Sequence, residues 1–82
     1  MLAVIWTMSR RARSLTSFGQ NVRKMRSASG LTQERLAEKA DLDPTYISGI
    51  ERGVRNPSLL IISRLARALR IPVAKLCEGV RE

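Results

Sequence analysis

Across 82 residues, 15 Lys and Arg stand against 7 Asp and Glu, giving a formal net charge of +8, and 44% of positions are hydrophobic. A chain of this size makes one domain with a modest core, and its basicity points to a polyanionic partner, nucleic acid ahead of acidic lipid. With no histidine and a single cysteine, Cys77, the sequence excludes Cys/His zinc sites, an internal disulfide and the commonest general base. No cofactor or metal is expected. The sequence also lacks clustered carboxylates and a phosphate-binding glycine loop, so it does not read as an enzyme. A lone thiol suits the reduced cytoplasm.

Residues 1–16 read as an N-terminal extension. Met1 to Met8 is apolar, and Arg10, Arg11 and Arg13 follow it. That order is the reverse of a secretory signal, and the apolar run is far shorter than the roughly twenty residues a bilayer span takes. No membrane association is expected. Three readings fit the segment. It is a flexible extension with Met8 a natural start, which is the expected one; or an arm packing on the domain or a partner chain through Ile5 and Trp6; or a basic arm touching a nucleic-acid backbone.

From Ser17 onward the periodicity predicts helices throughout. Phe18, Val22 and Met25 are spaced i, i+4, i+7, giving helix 1 an apolar stripe with Arg23, Lys24 and Arg26 on other faces. Gly30 and Leu31 make a glycine C-cap followed by a hydrophobic contact. Helix 2 is predicted near Gln33 to Ala40, capped by Thr32, with Leu36, Ala37 and Ala40 facing inward. In the turn Asp41-Leu42-Asp43, Asp41 tolerates a left-handed conformation and Leu42 returns to the core. Asp43 and Pro44 then start helix 3, which runs near Pro44 to Arg52 and stops at Gly53. It buries Ile47, Ile50 and Glu51, and its opposite edge shows Thr45, Ser48 and Arg52, with Tyr46 on the flank. A small polar edge ending in a cation suits a DNA major groove better than a core.

Asn56-Pro57-Ser58 opens helix 4, where Leu59, Ile62, Leu65, Ala66 and Leu69 line one side. Ile71-Pro72-Val73 breaks it, and a short helix 5 follows through Leu76 and Cys77, the latter a small core hydrophobe. Residues 80–82 are a tail. No strand signal, repeat or low-complexity tract appears, so residues 17–79 read as one all-α, five-helix domain.

The strings TQERLAEKA, PTYISGIERG and NPSL together resemble the Cro/C1-type (XRE) helix-turn-helix of bacterial and phage repressors. TYISGIERG followed by RN is closer still to the controller proteins of restriction-modification systems. The resemblance covers about Ser17 to Glu78. It implies a compact lambda-repressor-like domain that binds double-stranded operator DNA as a homodimer and regulates transcription, controlling a restriction-modification operon. A phage-type repressor or antitoxin-like autoregulator is the alternative within regulation. A protein-interaction module, holding a toxin or polymerase, is the alternative of another class, and RNA polymerase is a further candidate partner. A cytoplasmic, nucleoid-associated protein follows.

The same resemblance implies residue roles. An unpaired carboxylate at Glu51 is costly on an inward edge; in the family the matching acid pairs with a helix 1 arginine, here Arg26. Ala37 lets helices 2 and 3 cross closely. Gln33 bridges the DNA backbone and the recognition helix. Thr45, Tyr46 and Ser48 occupy base-reading positions, while Arg52 and Arg55 are placed for phosphate. Arg55, on a flexible loop, is the better candidate for a guanine edge. Pro44 stands where relatives often carry a long polar or basic reader, so one guanine contact is expected to be missing. Asp41 and Arg70 stand where glycine is usual. Leu60, Ile61, Ile71, Pro72 and Val73 are expected in the two-fold interface, since helix 4 starts hydrophobic on more than one side.

Overall fold

Local chemistry at the chain's turns sets where each helix begins and ends. The structure, a computed structural model, describes the backbone of residues 2–82 and the side chains of residues 13–82. The expectations for Ile5, Trp6, Arg10 and Arg11 concern side chains outside the described residues. The helices are α1 (Leu2–Ala28), α2 (Gln33–Ala40), α3 (Pro44–Glu51), α4 (Leu59–Leu69) and α5 (Val73–Leu76), and no strand occurs among the described residues. The all-α, five-helix architecture is therefore present.

Three helices start on a side-chain cap that satisfies an otherwise free backbone donor. Thr32 Oγ1 accepts from the Arg35 N–H at 3.1 Å, Asp43 Oδ1 from Thr45 at 2.8 Å, and Ser58 Oγ from Ile61 at 3.2 Å. Pro44 occupies the first turn of α3, where its missing N–H costs nothing. Four helix ends close with the paired bonds of a Schellman motif. After α1, Leu31 N–H reaches the Arg26 carbonyl and Gly30 that of Ser27; the same pattern joins Leu42 to Ala37, Val54 to Gly49, and Ile71 to Ala66. The residue at the left-handed position is Gly30, Asp41, Gly53 and Arg70 in turn. Asp41 and Arg70 sit at φ 57° and 58°, a conformation that costs an L side chain about 1–2 kcal/mol.

These fixed corners fold the apolar stripes onto one another. Packing joins α1 to α3, α4 and α5, α2 to α3 and α4, and α4 to α5. Val22, Leu36, Ile47, Ile50, Leu65 and Leu76 are sealed from solvent, with Phe18, Ala37, Ala40, Ala66 and Leu69 around them. The close crossing of α1 and α3 depends on Gly19. A Cβ there would lie 2.2 Å from the Ile50 carbonyl oxygen and 2.7 Å from that of Glu51. Asn21 fastens the C-terminal end by donating to the Leu76 and Glu78 carbonyls at 2.8 and 2.9 Å. α1 passes through Ser17 without a break, and Ser14 Oγ donates to the Arg81 carbonyl at 3.1 Å. Val80 packs against the core. Cys77 is half-buried and faces a shallow apolar groove with Leu15, Phe18, Pro57, Ile62 and Val80.

One expected core residue is not in the core. Leu59 is 70% exposed, as is Leu60 at 63%, while Ile61 and Ile62 pack partly against the cluster. The core stripe of α4 is set by Leu65, Ala66 and Leu69. At about 100° per residue, Leu59 falls on the edge of that stripe and Leu60 opposite it.

Two substitutions are expected to move stability in opposite directions. Gly19→Ala forces a methyl into backbone oxygens and should destabilise the fold by about 1–3 kcal/mol. Arg70→Gly removes left-handed strain, partly offset by glycine's freedom in the unfolded chain, and should stabilise it by up to about 1 kcal/mol. Thermal denaturation followed by circular dichroism reads both, at roughly 4–8 °C per kcal/mol for a domain of this size.

Candidate nucleic-acid interface

A single buried carboxylate fixes where α3 sits. Glu51, at the end of α3, has its side chain 3% exposed and accepts three hydrogen bonds. Arg26 Nε donates to Oε2 at 2.6 Å, Arg26 Nη2 to Oε1 at 3.0 Å, and Gln33 Nε2 to Oε1 at 3.0 Å. The third guanidinium arm, Nη1, donates to the Leu31 carbonyl at 2.8 Å. The hydrogen bond to Glu51, against the opposing effect of burial, raises the Arg26 pKa above its ordinary value, so the guanidinium stays charged. One side chain thus joins the end of α1, the loop before α2 and the end of α3. Gln33, at the start of α2, spends one amide hydrogen on Glu51 and so ties the helix start to α3.

The opposite edge of α3 faces away from the core. Thr45 and Arg52 are exposed, and Tyr46 and Ser48 are half-exposed, while Ile47, Ile50 and Glu51 point inward. This division follows from the helical period, which brings positions 45, 48 and 52 onto one side. Asp43 caps the backbone beneath Thr45, so the outer edge begins on a fixed turn. Ala37 is buried in α2.

Arg55 lies in the loop between α3 and α4, as expected. It follows the hydrogen-bonded end of α3 and folds back over that helix, its guanidinium carbon 5.9 Å from the centroid of the Tyr46 ring. That distance allows a cation–π contact. Of the sequence-derived positions, Arg26, Gln33 and Glu51 meet at one joint, Tyr46 and Arg55 meet at the outer edge, and Thr45, Ser48 and Arg52 share that edge by helical spacing. Leu60 and Ile61 lie on α4, Ile71 and Pro72 in the α4–α5 connection, and Val73 opens α5. Leu60 and Pro72 are exposed, and the other three are half-buried. Among the described residues, no group of three or more His, Cys, Asp or Glu side chains is placed to hold a metal ion. No described helix is long and apolar enough to cross a membrane.

Residues 22–76 match the helix-turn-helix family. The chain belongs to that family. Its sequence is similar to the control protein C.BamHI of Bacillus amyloliquefaciens, 53% identical over 55 residues, which are 66% of this chain and 68% of that one. Its fold is similar to the crystal structure of the restriction-modification controller protein C.AhdI from Aeromonas hydrophila, with a TM-score of 0.75 and 50% identity over 76% of this chain and 94% of that one. The controller protein C.Esp1396I, solved as a tetramer with its natural 35 base-pair operator, gives a TM-score of 0.74 at 36% identity, over 82% and 88% of the two chains. In this helix-turn-helix, α2 is the supporting helix and α3 the recognition helix.

Gly19, which lets α1 approach α3, lies outside the motif strings, and Gly49 lies inside PTYISGIERG with no role assigned to it there. The available signal was glycine inside a helical pattern, which costs about 1 kcal/mol against alanine and calls for a packing reason.

The buried joint makes a clear thermal prediction. Glu51→Ala leaves Arg26 and Gln33 without their acceptor and should cost about 3–5 kcal/mol. Arg26→Lys keeps the charge yet cannot span both Glu51 oxygens and the Leu31 carbonyl, so it too should melt well below wild type. Wild-type melting of either variant would remove the joint from its structural role.

Proposed function

We propose that this chain is a sequence-specific DNA-binding transcription regulator that acts as a homodimer on a two-fold operator and controls a restriction-modification operon. The observation that carries the proposal is the exposed edge of α3, continuous with Arg55, on a chain of net charge +8. Thr45, Tyr46 and Ser48 are the base-reading side chains in this reading. Tyr46 and Thr45 meet a thymine methyl or base edge, and Ser48 meets a base edge or phosphate. Arg52 and the N-terminus of α2 beside Gln33 hold phosphate, and Arg55 reaches a guanine edge. The similarity to C.BamHI, C.AhdI and C.Esp1396I supports the operon assignment, and the operator complex of C.Esp1396I supports both duplex DNA and assembly of copies.

One recognition helix spans only a few base pairs, so two copies about one helical turn apart supply the specificity a genome requires. The exposed Leu60 on α4, with Ile61, Ile71, Pro72 and Val73, forms the two-fold seam in this proposal. RNA polymerase is a partner of the operator-bound dimer. The cell compartment is the cytoplasm, at the nucleoid.

Selection of duplexes from a random pool tests the function directly, and a two-fold consensus is the expected result. Binding to that consensus should weaken steeply with salt. A dimer neutralising roughly six to ten phosphates loses about 10³–10⁵ in affinity between 50 and 200 mM salt. A flat salt dependence would contradict the phosphate contacts.

The seam has its own measurement. Sedimentation at micromolar concentration should show a species near twice the 9.2 kDa chain mass. Leu60→Glu enters a self-complementary contact twice and should shift the protein to monomer while leaving the fold intact. A wild type that stays monomeric both free and on the selected duplex would overturn the dimer.

A further inference from the structure

Gly49 lies in the middle of α3, on its outward side, and is nevertheless buried. Its φ is not in the left-handed region, so no backbone demand explains a glycine there. The explanation is what covers it. A Cβ at Gly49 would lie 2.7 Å from Arg55 Cγ, 3.3 Å from its Nε and 3.5 Å from its Cδ, and these are the three nearest atoms. The missing side chain leaves a slot along the recognition helix, and the Arg55 methylenes occupy it. Val54 N–H holds the base of the slot by bonding the Gly49 carbonyl at 3.0 Å, and the Tyr46 ring stands over its far end. Arg55 itself remains exposed.

We infer that Gly49 is a positioning residue for DNA recognition, one that acts through Arg55. Its absent side chain seats Arg55 along α3, so that the guanidinium reaches the duplex at a fixed offset from Thr45 and Tyr46. Glycine is the poorest helix former apart from proline, so the position gives up helix propensity in exchange for the slot. Seating a long cation before binding removes rotamer freedom that would otherwise be lost on the DNA. A free Arg55 would still neutralise phosphate but would hold a base edge less often. The inference rests on the DNA-reading function proposed above and adds to it the element that orients one reader.

The slot is observable without DNA. In the free wild-type protein, nuclear Overhauser contacts should join the Gly49 α protons to the Arg55 γ methylene, and their absence would overturn the inference. Gly49→Ala meets only a flexible side chain, so it should melt at or above the wild-type temperature. On the duplex selected by the wild type, it should lose about 5- to 150-fold in affinity, the range of one base contact. Arg55→Ala should show a comparable loss, and the double variant should bind within about two-fold of the weaker single variant. On an unrelated duplex Gly49→Ala should match the wild type, because its charge is unchanged. Wild-type affinity of Gly49→Ala for the selected duplex, or losses that add in the double variant, would overturn the positioning role. A wild type that selects no duplex would instead overturn the DNA-reading function, whatever the Overhauser contacts show.

Discussion

The carboxylate of Glu51 is the constraint on which the arrangement of this domain depends. Buried at the end of α3, it accepts from two arms of Arg26 and from Gln33. Stripped of those donors it would be an unpaired charge in the interior, a costly state that selects against any packing that separates α1, α2 and α3. The remaining guanidinium arm holds the Leu31 carbonyl, so the loop between α1 and α2 is fastened to the same point. The apolar core supplies most of the drive to collapse, but it is non-directional. The ion pair has fixed geometry and sets the angle at which the recognition helix is presented.

Around that joint, the helix ends leave little freedom. Side-chain caps start α2, α3 and α4, and Schellman bonds close α1, α2, α3 and α4. α2 and α3 have only eight residues each, a length marginal in isolation. Their caps and the buried face of each hold them, and Gly19 lets α1 come into contact with the carbonyls at the end of α3. The outward edge of α3 is therefore presented on a rigid platform. That is the condition under which a few short polar side chains discriminate between base pairs.

The outer surface has two characters. Along α3 it is polar and ends in cations, with Arg55 laid back over the helix. Along the first turn of α4 it is apolar, through the exposed Leu59 and Leu60. The separation of these two faces lets one surface meet duplex DNA while the other is free for a protein contact. The proposed two-fold seam uses that separation.

Much of this domain is legible in its sequence because its signals are local. Thr32, Asp43-Pro44, Gly53 and Ser58 mark helix ends through bonds that span two to five residues, and Phe18, Val22, Leu36, Ile47, Leu65 and Leu69 declare inward faces through helical period. Family resemblance adds the Arg26–Glu51 pairing, which no local pattern contains. Tertiary structure decided the rest. Leu59 reads as core because its spacing fits loosely, yet it is exposed, and burial is a property of the neighbours. Arg55 reads as a loop side chain, and the slot left by Gly49 and the ring of Tyr46 fix its course across α3. Asn21 and Gly19 carry no motif signal, since their roles are set by backbone that arrives from distant parts of the chain. Chain-local chemistry determined where helices start, stop and turn inward; close approach between them, which only the folded chain creates, decided how the reading edge is held.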